Sequence, residues 1–162
     1  MNPQENDILT ALYAVKDPEI PTISVVDLGI ITNIHCENGM AQITMTPTFT
    51  ACPAIKILQE EVKNAAEALD FVEQASVMID YSTPWTSDRI TDIGREQIKA
   101  HGLATPARLN GKEADIDTIA NTNCPHCGSA ETSLNILFGP TLCRSMHYCY
   151  HCKQAFEAFK PI

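Results

Sequence analysis

The clearest pattern of apolar and polar positions runs from residue 30 to residue 46. Apolar side chains alternate with polar ones on both sides of Asn38-Gly39, a pair that favours a two-residue hairpin turn. That turn predicts Cys36 opposite Ala41, Ile34 opposite Ile43 and Thr32 opposite Met45. These six make one largely apolar face, and Asn33, His35, Glu37, Gln42 and Thr44 make a wet one. Cys36 falls on the core side and reads as structural.

Helical spacing brackets this hairpin. Over residues 3–15, Ile8, Ala11, Leu12 and Val15 share one face, with Asn2 as the cap and Pro3 in the first turn. Over residues 53–69, Ile55, Leu58, Val62 and Leu69 form a second stripe. Residues 72–81 alternate again, with Val77, Ile79 and Tyr81 on one side. Strand, helix, strand implies a crossover, so the sheet is part antiparallel and part parallel. A further helix is expected over residues 88–101, stopped by Gly102, with Trp85 in the loop before it, either in the core or stapled against Ile90. Residues 103–122 lose periodicity and read as a linker. Short strands at 133–138 and 145–148 follow. The expected architecture is a small mixed-sheet α/β (α+β) domain over 1–102, the linker 103–122, and a separate module over 123–162.

Cysteine placement gives that last module its identity. Of seven cysteines, five lie in the last 39 residues. Cys124-Pro125-His126-Cys127 and Cys149-Tyr150-His151-Cys152 are two C-x-x-C knuckles 21 residues apart. Such pairs match a four-thiolate zinc ribbon, with one structural zinc per chain held by Cys124, Cys127, Cys149 and Cys152. A module this small needs the metal to fold. A closed site leaves no position for substrate, so the role is structural. Four thiolates also suit iron or an iron–sulfur cluster, which stays as the lesser reading. His126, His151, Cys143 and His147 read as loop or spare residues.

Net charge is −9 and the charged fraction is 19%. An acidic chain argues against a nucleic-acid partner. No apolar run reaches the ~18 residues of a membrane span, and residues 1–7 are polar rather than signal-like, so a cytoplasmic location is expected. No dinucleotide fingerprint, diiron Glu-x-x-His pair or hydrolytic triad spacing is present, so the chain is not expected to be catalytic by itself.

The stretch Thr46-Pro47-Thr48-Phe49-Thr50-Ala51-Cys52-Pro53-Ala54 joins a strand to a helix. Pro53 suits the first helical position, which puts Cys52 at or beside the N-cap, facing free N–H groups and the positive end of the helix dipole. That setting favours a thiolate, although a small buried residue before a proline fits the local sequence as well.

Asp17-Pro18-Glu19-Ile20-Pro21, Val25-Val26-Asp27-Leu28-Gly29, Thr46-Pro47-Thr48 and Cys52-Pro53-Ala54 together resemble the MIP18-like (formerly DUF59) family. Its members assist iron–sulfur cluster assembly or delivery. Pro84-Trp85, Ile90-Thr91 and Gly94-Arg95, followed by a ribbon, are similar to one branch, the D-type accessory proteins of bacterial phenylacetyl-CoA 1,2-epoxidase. Two positions depart from the pattern: Ala51 stands for a glycine, and Ala104-Thr105-Pro106 for a Pro-Pro. The resemblance implies that Cys52 handles the cluster, with Glu19 and Asp17 as acidic neighbours. It implies a client as partner, the iron–sulfur reductase component of the oxygenase. One thiol is too few for a stable cluster, so a transient cluster or iron would be shared with a second copy of the chain, as in a homodimer, with a client or with a small thiol. Direct participation in the oxygenase reaction, or nucleic-acid binding by the ribbon, are the alternatives.

Overall fold

The computed structural model describes residues 1–50 and 52–162. The chain forms two compact units, Met1–Trp85 and Thr86–Ile162.

The first unit begins with helix α1 (Pro3–Leu12), started by a reciprocal cap. Glu5 N–H donates to Asn2 Oδ1 at 2.9 Å, and Asn2 N–H donates to Glu5 Oε2 at 2.7 Å. Ile8 and Leu12 of this helix are fully buried. Strands β1 (Ile31–Glu37) and β2 (Met40–Met45) then form the hairpin, joined at Asn38 and Gly39, whose φ angles are 50° and 77°. Two positive φ values in succession make the turn that matches strand twist. A Cβ at Gly39 would also come within 2.9 Å of the Glu73 side chain.

The pairs Cys36–Ala41 and Ile34–Ile43 form as expected. The pair Thr32–Met45 does not: a bulge at Thr32 puts Ile31 opposite Met45 and leaves Thr32 exposed. The extra residue restores the apolar pairing at the strand end. Helix α2 (Ile55–Glu67) crosses to β3 (Gln74–Ile79), which runs parallel to β2, giving the order β1-β2-β3. Two α2 side chains reach the outer edge of β3. Gln59 Nε2 donates to Val77 O at 2.6 Å, and Ala75 N–H donates to Glu67 Oε1 at 3.0 Å. An edge so occupied is a poor template for another strand.

Trp85 closes this unit. It is 3% exposed, and its indole N–H donates to Leu28 O at 3.1 Å. It is therefore a core residue of the first unit.

The second unit holds α3 (Asp92–Ala100), the short α4 (Ile116–Ala120) and a three-stranded antiparallel sheet of β4 (Thr132–Ile136), β5 (Arg144–Cys149) and β6 (Ala155–Phe159) in that order. The helix expected over 88–101 is split into a 3-10 turn at Ser87–Arg89 and α3, which Thr91 caps by accepting from Gly94 N–H.

The division after Trp85 differs from a boundary at 102, because residues 86–122 pack with the ribbon. Leu103, Ala104 and Leu109 are buried. Ala104 bridges β6, donating to Glu157 O at 2.9 Å and accepting from Phe159 N–H at 3.0 Å. Asp88 accepts from Leu109 N–H at 2.7 Å, and Arg95 donates to Ser87 O at 2.9 Å and to Pro106 O. Burial opposes charge on Asp88, but the N–H groups of Leu109, Gly111 and Asn110 outweigh it and hold its carboxyl below the ordinary range. The stretch 103–111 is thus a fixed strap. No helix is long and apolar enough to cross a membrane among the described residues.

Candidate functional site

The metal centre is built from two matching turns. In the first knuckle, Gly128 N–H donates to Cys124 O at 2.8 Å and Cys124 N–H donates to Ser129 O at 2.9 Å. In the second, Lys153 N–H donates to Cys149 O at 2.9 Å and Cys149 N–H donates to Gln154 O at 2.9 Å. The residue four after the leading cysteine is left-handed in both, Gly128 at φ 74° and Lys153 at φ 62°. Equal backbone turns present two sulfurs each toward one point. The four Sγ atoms lie within 4.8 Å of one another, with Cys124–Cys152 and Cys127–Cys149 both at 3.6 Å.

Those distances fit a single ion. Four tetrahedral thiolates at ~2.3 Å from a metal sit about 3.8 Å apart. Cys124 and Cys149 are buried and pack with Phe156, Ala158 and Ala104, while Cys127 is exposed. An ion or chelator would approach on the Cys127 side. The backbone N–H groups of Cys152 and His151 and the neighbouring thiols bring Cys149 down to about 6. Burial and the adjacent sulfurs push Cys152 up to about 12. Four thiols this close cannot all ionise unaided, so binding a cation must displace protons.

Two buried polar residues next to this centre were not legible in the sequence. His147 and Ser145 are fully buried on β5, with His147 Nε2 at 2.9 Å from Ser145 Oγ and the imidazole stacked on Phe156 at 5.2 Å. Burial lowers the His147 pKa and so favours the neutral ring, which lies outside the four-sulfur cluster. Strand β6 also goes beyond the sequence expectation, although Ala155, Phe156, Ala158 and Phe159 carry its signal.

The second candidate, Cys52, lies between β2 and α2. It is a half-buried thiol in no disulfide. Its N–H donates to Phe49 O at 3.0 Å, and its carbonyl accepts from Ile55 N–H at 3.4 Å. The helix therefore starts later than Pro53. Ala54 is the N-cap residue, in helical conformation and without a side-chain cap, so Cys52 sits in the turn that precedes the helix rather than at its cap. The departure at Ala51 lies outside the described residues.

The acidic loop before β1 is ordered rather than merely solvated. Asp17 Oδ1 accepts from the N–H groups of Glu19 and Ile20, both at 2.9 Å, and Asp17 N–H donates to Ile23 O. Ile20 and Ile23 anchor the loop in the core. Asp17 thus shapes the loop with one carboxylate oxygen. It also lines a cavity of about 450 Å³ with Glu61 and Asn64 of α2. Among the described residues, neither Glu19 nor Cys52 lines that cavity. Behind the loop, Ser24 Oγ donates to Asp27 Oδ2 at 2.7 Å, both residues being buried.

Residues 110–160 match the family model of the PaaD zinc beta ribbon domain, and residues 5–77 match that of an iron–sulfur cluster assembly protein. Over 160 residues the chain is 31% identical to the putative D-type component of the 1,2-phenylacetyl-CoA epoxidase of Escherichia coli K12, covering 99% of this chain and 94% of that one. The chain belongs to this D-type epoxidase family. Its ribbon carries four clustered cysteines, and its first domain is of the DUF59, MIP18-like kind. The chain is also 36% identical over 88 residues to the Fe-S protein maturation auxiliary factor YitW of Bacillus subtilis, covering 54% of this chain and 85% of that one. The crystal structure of a DUF59 domain of unknown function from Bacillus anthracis superposes with a TM-score of 0.55 at 29% identity, covering 59% of this chain and 91% of that one.

Proposed function

We propose that this chain is an accessory maturation factor, not catalytic by itself, that helps deliver an iron–sulfur cluster to a multicomponent oxygenase of the phenylacetyl-CoA epoxidase type. The client in this reading is the oxygenase's reductase component, and the compartment is the cytoplasm. The observation that carries it is the joining of an assembly-type domain, holding the half-buried thiol of Cys52, to a ribbon whose four sulfurs lie within 4.8 Å of one another.

Cys52 would bind the cluster or iron transiently, with Glu19 and Asp17 as acidic neighbours. Asp17 commits one carboxylate oxygen to the N–H groups of Glu19 and Ile20 and so shapes the loop that carries Glu19. A single thiol holds a cluster weakly, which suits a carrier that must release it. The remaining ligands would come from a client, a small thiol or a second copy of the chain.

The ribbon ion in this reading is zinc, one per chain, held by Cys124, Cys127, Cys149 and Cys152. A multi-iron cluster places iron and sulfide atoms between its thiolates, and sulfurs within 4.8 Å of one another favour one ion instead. Zinc supplies no chemistry to substrate here. It ties two turns together so that β4, β5 and β6 present a fixed surface. Neither unit has a net positive charge, which does not suit a nucleic-acid partner.

The test is a strain carrying Cys52→Ala. Its reductase component should be isolated with iron and sulfide well below those of the parent strain, while the variant chain keeps its zinc. A reductase fully loaded in that strain would sink the reading.

A further inference from the structure

One face of the ribbon sheet ends in a thiol beside an ammonium. Ser145, His147 and Cys149 alternate along β5, share a face and are fully buried. Their face continues on β6 through Ala158 and Phe156, the register partners of Ser145 and His147. One step beyond the Arg144–Phe159 pair, in the same register, Cys143 lies opposite Lys160, whose backbone N–H donates to Cys143 O at 2.9 Å. Directly opposite residues of an antiparallel pair share a face, with Cβ atoms about 5 Å apart. Cys143 and Lys160 are therefore side-by-side neighbours. Six residues of strand separate Cys143 from the ligand Cys149, on the order of 20 Å.

Lys160 is only 4% exposed. Its Nζ sits 4.1 Å from the centroid of the Phe138 ring. A buried ammonium is costly unless an aromatic face or an anion compensates it, and here the ring supplies the first. Burial lowers the Lys160 pKa, and its interaction with Cys143 opposes that shift in part. Thr141 Oγ1 lies 3.1 Å from Cys143 Sγ. Cys143 is half-buried, and the loop leading to it exposes Phe138 and Leu142. The other charged pair at this end, Arg144–Glu157 at 2.8 Å, projects from the opposite face. A cation on the residue directly opposite a partly accessible thiol is the setting that makes a cysteine reactive.

We infer that Cys143 is a lysine-activated nucleophilic thiol, separate from Cys52 and from the metal ligands, whose substrate class is a low-molecular-weight disulfide. Its thiolate attacks one sulfur of the disulfide. A new S–S bond to Cys143 forms, the original S–S bond breaks, and the second sulfur leaves as a thiolate that takes a proton from water. Cys143 is oxidised to a mixed disulfide, and the incoming disulfide is reduced by the same electron pair. The inference does not depend on the role of Cys52.

The experiment treats the full-length, zinc-loaded protein with glutathione disulfide at a series of pH values and locates adducts by peptide mass mapping. The adduct rate at Cys143 should rise with an inflection at least about one unit below the ~8.5 of an ordinary thiol. Lys160→Met should slow that adduct about tenfold at neutral pH with zinc content unchanged, and Lys160→Arg should keep it within about threefold. An inflection at or above ~8.5, or a folded Lys160→Met protein that reacts as fast as the parent, overturns the inference. If Lys160→Met does not fold, the pH profile of the unaltered protein decides the matter alone.

Discussion

The first unit closes on aliphatic side chains and the second on sulfur. In Met1–Trp85 the fully buried residues include Ile8, Leu12, Ile23, Ile43, Met45 and Leu58, drawn from two helices, a loop and one strand. In the ribbon the buried cluster is Ala104, Cys124, Cys149, Phe156 and Ala158, with Cys152 packed against it. Two of its five members belong to the four-cysteine cluster. Charge divides the same way. Residues 1–85 hold 12 acidic and 3 basic side chains, and residues 86–162 hold eight of each, so the whole net charge of −9 sits on the first unit. A unit with a larger aliphatic core tolerates more self-repulsion than a small sheet whose buried cluster is part sulfur.

The sharpest way to break the comparison is to remove a ligand. Cys149→Ser should abolish stoichiometric metal and unfold the ribbon, since structural four-thiolate sites contribute on the order of 10–16 kcal/mol. Amide spectra should lose the dispersed signals of β5 and β6 and keep those of β1 and β2. Loss of the β1 and β2 signals as well would show that the first unit depends on the metal.

Acid should act on the same unit. In the metal-free ribbon a depressed thiol such as Cys149 stabilises the fold while ionised, and that contribution disappears as pH falls through about 6. Protons also compete directly with the ion, so metal retention should fall on acidification, followed by titration with a zinc-sensitive dye. Retention that increases at lower pH would contradict a thiolate site.

The converse change is Ile43→Ala, at the centre of the first sheet and 1% exposed. It should destabilise the first unit by about 2–5 kcal/mol in a urea titration while zinc content stays unchanged. The smallest effect belongs to Lys153→Gly. Lys153 holds the left-handed position that Gly128 holds in the other knuckle. Relief of that strain, partly offset by glycine's greater freedom when unfolded, should raise ribbon stability by less than about 1 kcal/mol, read as a higher melting temperature.

Local patterns explain why some of this was readable from the sequence. Asn38-Gly39 fixes the hairpin because both residues accept positive φ, and C-x-x-C fixes the knuckles because two sulfurs must leave one tight turn. The misread parts depend on distant partners. Simple alternation pairs Thr32 with Met45, but a bulge buries the strand end better. The strap over 103–111 has no periodicity because Asp88, Arg95 and the edge of β6 hold its backbone, so its buried Leu103, Ala104 and Leu109 follow neither helical nor strand spacing. The late start of α2 at Ile55 reflects a turn through Cys52 that Pro53 permits but does not dictate.

The central claim is that Cys52 handles iron while the four-cysteine site holds zinc. Metal and sulfide analysis of the anaerobically purified protein, beside its Cys52→Ala variant, tests it most directly. The account predicts about one zinc per chain in both, as a closed four-thiolate site requires, with sub-stoichiometric iron and sulfide in the parent that vanish in the variant. Iron that persists in the variant would place iron among Cys124, Cys127, Cys149 and Cys152 and contradict the account.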